Sequence, residues 1–350
     1  MNGKHTLIAR ARTSVPSHVS AVRVGPIMSF PDVLRALGHD PASLFAAAGM
    51  DIHVLDHPDN RISFDELGRL FETCGDATGC DHLGLLVGQR FTLDALGEIG
   101  ILMRNSPTVG VACRRLTLHM HLQDRGAVPL LLHISDRHVA LGYSVLRYET
   151  PAIRQLHEGV VATLCCLMRE LCGPAWQPVD IQLSHSRPGN LAPYRQVFGP
   201  RLRFDADFSA AVFDSKWLDH SVKSADPELF DQLSQTLARM EDRQSAGLAD
   251  KVRRALQSMV FGGTASSEGI AHLFQLHERT LRRRLADEGT SAHALIQEVL
   301  FSVSRQLLRE TRISVTEIAA VLHYGNAAAF STAFRRWAQH SPREWRRLVQ

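Results

Sequence analysis

His277-Glu-Arg-Thr-Leu-Arg-Arg-Arg-Leu-Ala-Asp-Glu-Gly289 decides how the chain is read. Four arginines, Arg279, Arg282, Arg283 and Arg284, fall within six residues, and leucines stand at 281 and 285. On a helix, Leu281 and Leu285 share one face (i, i+4). Arg279, Arg282 and Arg283 share another (i, i+3, i+4), with Arg284 at its flank and Thr280 beside it. The leucine stripe faces a core. A merely solvated face would intersperse carboxylates among the arginines, but Asp287 and Glu288 come only at the C-terminal end, where they oppose the helix dipole. Guanidinium groups suit guanine O6/N7 and phosphate oxygens. The stretch points to nucleic-acid contact, with a solvated surface helix as the alternative.

Charge per region supports the first reading. The whole chain carries a net charge of +3. Residues 251–350 hold 15 Lys+Arg against 8 Asp+Glu, a balance of +7, and residues 1–250 hold 24 against 28, a balance of −4. A basic terminal domain on a slightly acidic body is the electrostatic footprint of a nucleic-acid binder. With 350 residues, 45% hydrophobic and 21% charged, the chain is long enough for two ordinary globular domains.

The arginine stretch also has an echo. Ile270-Ala271 is answered by Ile318-Ala319, 48 residues on. Leu281 and Leu285 are answered by Phe330 and Phe334, 49 residues on, so the second unit has one extra residue in its turn. Two helix-turn-helix units are expected, over about 266–288 and 314–339. Between them Ile296, Val299, Leu300, Val303, Leu307 and Leu308 form an amphipathic helix. Its roughly 17 residues would span about 25 Å. That is near the ~34 Å over which successive major grooves face one side. Ser314-Val-Thr-Glu317 and Ser341-Pro-Arg-Glu344 fit the capping box.

The first part of the chain reads differently. Residues 1–24 resemble a frayed tail rather than a signal peptide, since no apolar core follows their basic residues. Residues 27–125 carry mainly helical spacing, and Ser106-Pro107 reads as a helix start. Runs 128–134 and 138–146 read as a hairpin split by Ser-Asp-Arg. Pro151 to Leu171 returns to helical spacing, and 179–185, 201–205 and 210–214 look like strands. Helices and strands in blocks give an α+β domain over 25–225. A helix from Asp226-Pro227 to about Arg243 carries Leu229, Phe230, Leu233, Leu237 and Met240 on one stripe, either packed on its own domain or serving a homodimer contact. Residues 226–250 are read as the linker, with QSAG (244–247) as its softest point, and 251–350 as the DNA-binding domain.

Several function classes find no support. The six cysteines form no CxxC pair and imply reduced thiols, not a disulfide framework. His119-Met-His121 lacks nearby carboxylate or cysteine partners, so no metal is expected, and no cofactor. Apolar runs are too short for a membrane span. No Gly-rich phosphate loop, HExxH or nucleophile elbow appears, so no catalytic residue is assigned. Arg104-Asn105-Ser106 is a polar knot that could face an effector pocket, or be a local turn and cap.

Residues 264–348 resemble the AraC family of bacterial transcription regulators. The pattern is carried by Ile270-Ala271, Arg279-Thr280-Leu281, Arg283, Leu285, Gly289-Thr-Ser291, Leu307-Leu308, Ile318-Ala319, Tyr324, Phe330, Phe334, and Ser341-Pro342 through Trp345-Arg346. The preceding domain resembles the effector domain of one branch of that family. It does so through Leu37-Gly-His-Asp40, Arg61-Ile62 with Phe64, Arg104-Asn-Ser-Pro107, Gly173-Pro-Ala-Trp176, Pro193-Tyr194 with Phe198-Gly199, and Trp217-Leu218-Asp219. The resemblance implies base contacts by Arg279, Thr280, Arg282 and Arg283, and in the second unit by Ala327, Ala328, Ser331 and Thr332. Phosphate contacts would fall to His277, Arg284, Asn326, Arg335, Arg336 and Arg343. The family often has a long polar residue where Thr332 stands, and alanines read little beyond a thymine methyl. The first unit is therefore expected to carry most of the specificity. The implied partners are promoter DNA, RNA polymerase and a small-molecule effector, in a cytoplasmic regulator, more often an activator. A ligand-independent architectural binder and an enzyme fused to a DNA-binding module are the alternatives.

Overall fold

Polar residues stand at the starts of helices in the first described part of the chain. The structure is a computed structural model that describes residues 21–349 apart from 121–126, 136, 146–151, 207, 245–246, 262, 264, 275 and 311–312. Strand β1 (Ala21–Arg23) precedes helices α1 (Phe30–Ala36) and α2 (Pro41–Ala47), the latter capped by Asp40, whose carboxylate accepts the Ser43 N–H at 2.9 Å. Strand β2 (Arg61–Ser63) pairs antiparallel with β1. It runs into α3 (Phe64–Thr78), where Ser63 and Glu66 close a capping box. Helix α4 (Leu83–Gly88) follows, and Phe30, Phe45, Leu70 and Phe71 pack at the centre of this helical part.

Helices α5 (Glu98–Arg104) and α6 (Val109–His119) lead to the sheet. The start of α6 differs from the sequence expectation. Thr108, not Ser106, caps it by accepting the Val111 N–H at 3.3 Å. The buried Ser106 hydroxyl donates to the Leu102 carbonyl and closes α5 instead. His121 of the histidine pair lies outside the described residues.

The expected hairpin forms as β3 (Ala127–His133) and β4 (His138–Val145). After α7 (Ile153–Cys172) come β5 (Asp180–Gln182), α8 (Ala192–Phe198), β6 (Leu202–Arg203), β7 (Ala210–Asp214) and α9 (Pro227–Gln244). The five strands lie in the order β3-β4-β7-β5-β6, antiparallel except for β5 and β6. Val139, Leu141, Ala211 and Phe213 point into the main core with Leu164, Cys165 and Met168 of α7. Ala140, Ala210, Val212 and Leu132 alternate with them and are buried on the other face. Runs such as Ala210-Ala-Val-Phe213 carry no polar alternation because both faces of these strands are covered.

Helix α9 packs Phe230, Leu233 and Leu237 on this same core, with the Arg115 guanidinium 5.3 Å from the Phe230 ring. These three residues of its stripe thus pack within their own domain, and the Met240 side chain lies outside what the structure describes. Two residues of the expected soft joint, 245 and 246, lie outside the described residues. The all-helical part comprises α10 (Leu248–Phe261), α11 (Ser267–Leu273), α12 (Glu278–Asp287), α13 (Ala292–Glu310), α14 (Val315–Val321), α15 (Ala327–Ala338) and α16 (Pro342–Val349). Helix α10 belongs to this core through Val252, Leu256 and Val260, and also lies against α6 and β3. All six cysteines are free, and burial pushes the Cys113, Cys165 and Cys172 thiols up to about 12, which leaves them inert. No helix among the described residues is long and apolar enough to cross a membrane.

Candidate nucleic-acid interface and apolar cavity

Leu281 and Leu285 are buried against Ile270 and Ala271 of α11, which fixes the rotation of α12. Arg279, Arg282, Arg283 and Arg284 are all exposed, and Thr280 is half-buried. None of the four arginines has an ion pair or hydrogen bond within the described residues. Three other arginines of the domain are used differently. Arg253 pairs with Glu298 at 2.8 Å and with Asp250. The Arg346 guanidinium donates to the carbonyls of Leu308 and Ile313. Arg305 lies over the Phe301 and Trp345 rings, and its burial pulls its pKa down. Arg335, Arg343 and Arg347 likewise show no ion pair or hydrogen bond among the described residues, but only α12 gathers four such guanidiniums within six residues.

Both acids at the end of α12 oppose its dipole, yet one has a structural task. The Glu288 carboxylate accepts the N–H groups of Leu248 and Ala249, at 2.7 and 2.8 Å. It caps α10 from outside the helix. A Cβ on Gly247 would stand 2.5 Å from that carboxylate, so a larger residue there would displace the Glu288 side chain from its place.

The second unit keeps the frame and changes the surface. Ser314 and Glu317 form the expected capping box, and Ser341 and Glu344 form the other, each serine holding its glutamate below the usual carboxylate range. Asn326 caps α15 by accepting the Ala329 N–H at 2.8 Å. The Ser331 hydroxyl donates back to the Ala327 carbonyl, so one of its hydrogen bonds is spent within the helix. Ala328, Thr332, Arg335, Arg336 and Arg343 are exposed, and Ala327 and Ser331 are half-buried. Arg336 donates to Gln297 at 2.8 Å. The His277 side chain makes no capping bond to α12. Helix α13 joins the units over 19 residues, about 28 Å.

Arg104, Asn105 and Ser106 do not line the cavity described next. Arg104 pairs with Asp94 and Glu170, and Asn105 donates to the Ile101 carbonyl. These groups are consumed by ties between α5, the segment before it and α7. What the sequence did not locate is a cavity of about 120 Å³ between β1, α3, α4, α6 and α7. Its walls include Phe64, Phe71, Phe91, Leu116, Leu164 and Leu167. One side is built by a close helix crossing. A Cβ on Gly84 would stand 1.9 Å from the Gln155 carbonyl, and one on Gly88 2.1 Å from that of Gly159. Gly84 and Gly88, four apart on one helix face, are the signal that could have found it.

Residues 38–222 match the family described as the arabinose-binding domain of AraC transcription regulator, N-terminal, and residues 270–348 match a helix-turn-helix domain. The chain is similar to the HTH-type transcriptional regulator VirS of Mycobacterium tuberculosis, 25% identical over 328 residues, covering 93% of this chain and 96% of that protein. It is similar to the ornithine utilization regulator of Pseudomonas aeruginosa, 27% identical over 318 residues, covering 90% and 93%. Among solved structures, the transcriptional regulator CdpR of Pseudomonas aeruginosa aligns with a TM-score of 0.45 at 22% identity, covering 89% of this chain and 97% of that one.

Proposed function

The chain belongs to the AraC family of DNA-binding transcription regulators, and from that premise we propose how its parts divide the work. Helix α12 lies in a major groove and reads bases through Arg279, Thr280, Arg282 and Arg283. Arg284 and His277 hold phosphate. Helix α15 enters the next groove on the same side, where Ala327, Ala328, Ser331 and Thr332 touch bases lightly and Asn326, Arg335, Arg336 and Arg343 hold the backbone. The observation that carries this is the exposed, unengaged arginine face of α12, set opposite a buried leucine pair.

The domain over 25–225 binds a small effector, and α9 with α10 links it to the DNA-binding domain from about residue 248. Contact of α10 with α6, one wall of the cavity, and with α13 of the DNA-binding core supports α10 as the coupling element. An effector shifts DNA binding or polymerase contact only by favouring one arrangement of these parts over another. The output is activation of transcription in the cytoplasm, and no step of it calls for a catalytic residue. A binding-site selection with the full chain tests the division. One strongly specified half-site and one weak one are expected, and equal information in both half-sites would sink it.

A further inference from the structure

We infer that the cavity between α3, α4, α6 and α7 takes an uncharged, ring-sized, hydrocarbon-like molecule with at most one hydroxyl, and not a sugar, an amino acid or a carboxylate. The inference rests on the reading of 25–225 as an effector domain and names the chemical class that domain accepts.

The wall chemistry carries it. Nearly every lining side chain is apolar, from Phe64 and Phe71 through Leu116 to Leu164. Three lining residues have polar side chains: Arg23, Tyr143 and Thr163. Arg23 offers no spare charge. Its guanidinium is 2.6 Å from the Asp59 carboxylate and donates to the Ala95 carbonyl at 3.2 Å. An anion would have to compete with Asp59, and a zwitterion would find no counter-charge for its ammonium. A sugar would bury several hydroxyls against leucine and phenylalanine, where each lost hydrogen bond to water goes uncompensated. A hydrocarbon ring loses nothing on entry and gains dispersion contacts.

Size points the same way. The cavity measures about 120 Å³, and an apolar cavity of roughly 150 Å³ takes up benzene. The site is also preformed on one side, because the backbones of α4 and α7 touch at Gly84 and Gly88 and leave no room to collapse. Thr163, half-buried on α7 among Val160, Leu164 and Leu167, supplies a hydroxyl for one polar substituent.

The test uses the full-length protein, with thermal shift and calorimetry against toluene, p-cresol, benzoate, L-arabinose and L-ornithine. Toluene and p-cresol are expected to bind saturably and raise the melting temperature. Benzoate, the same ring with a charge, is expected to bind at least tenfold more weakly than p-cresol, and arabinose and ornithine not at all. Thr163→Val should leave toluene affinity unchanged and weaken p-cresol several-fold. Thr163→Phe should abolish both without lowering the ligand-free melting temperature. If Thr163→Phe does not fold, Leu116→Phe at the opposite wall serves the same purpose. Benzoate, arabinose or ornithine binding as well as p-cresol, or toluene affinity surviving both filling variants, overturns the inference. Operator affinity is measured in parallel. Ring binding without any change in DNA affinity would sink the effector reading and leave the ligand class standing; arabinose or ornithine altering DNA affinity would do the reverse.

Discussion

Helices α12 and α15 are the same element built for opposite ends. An offset of 49 aligns them residue by residue. Leu281 and Leu285 fall on Phe330 and Phe334, while Arg279, Arg282 and Arg283 fall on Ala328, Ser331 and Thr332. In α12 Arg279 stands in the first turn and Asp287 and Glu288 close the helix, all against the dipole, although Glu278 and Arg284 sit where it favours them, and His277 gives no side-chain cap. In α15 Asn326 caps the start and Arg335 and Arg336 sit in the last turn, where the dipole favours them. At the position of Glu288 stands Trp337, packed 5.6 Å from the Phe301 ring. The second helix is capped at its start and charged at its end as helix stability asks, apart from Gln339, which ends it in the left-handed region; the first departs from those rules at both ends. Local rules give way where a surface has another task, and the buried faces of the two helices show no such departure.

The comparison can be broken at its frame first. Phe334→Ala should cost about 3–5 kcal/mol in urea unfolding. Because one core unites both units, hydrogen exchange should rise in α12 as well as in α15; exchange confined to α15 would mean the units are independent. Next comes the reading surface. Arg283→Ala should weaken operator binding by about 1–3 kcal/mol and relax base preference at one position, whereas loss spread evenly over all sequences would make it a phosphate contact. The dipole argument is sharpened by His277→Asn, which installs the cap α15 already has and should stabilise the domain by about 1 kcal/mol. No gain in melting temperature would show that the start of α12 is satisfied otherwise. Arg335→Ala should lower the salt dependence of binding by about one unit with no change of preferred sequence. Last, Thr332→Ala should change operator affinity by less than about 0.5 kcal/mol; a larger loss would restore the second unit as a reader.

What could be read in the sequence was local. The duplicated units, their extra turn residue and the two capping boxes are periodicities within a few turns, and they stand in the structure as spaced. The hairpin of β3 and β4 was legible for the same reason. Pairing of β1 with β2 was not, because three-residue strands 40 residues apart leave no pattern. The cavity was not either, since its walls come from segments between Val22 and Leu167 that share no spacing. The Arg104 knot stayed open between a ligand and a local tie because a polar cluster next to a helix looks alike in either case; in the structure Arg104 pairs with Asp94 and Glu170. Glu288 looked like a charge misplaced on α12, and only its bond to α10 explains it.

The doubly covered sheet has a consequence for how the molecule can be taken apart. Ala140, Ala210, Val212 and Leu132 are roofed by Phe208 and by Val321 of α14, so one wall of the effector domain is finished by the DNA-binding domain. A fragment ending near residue 245 would expose that wall as a flat apolar patch on paired strands, a surface prone to self-association. Dimers of such a fragment would report the missing roof rather than a native subunit contact, and single point variants in the intact chain are the cleaner dissection.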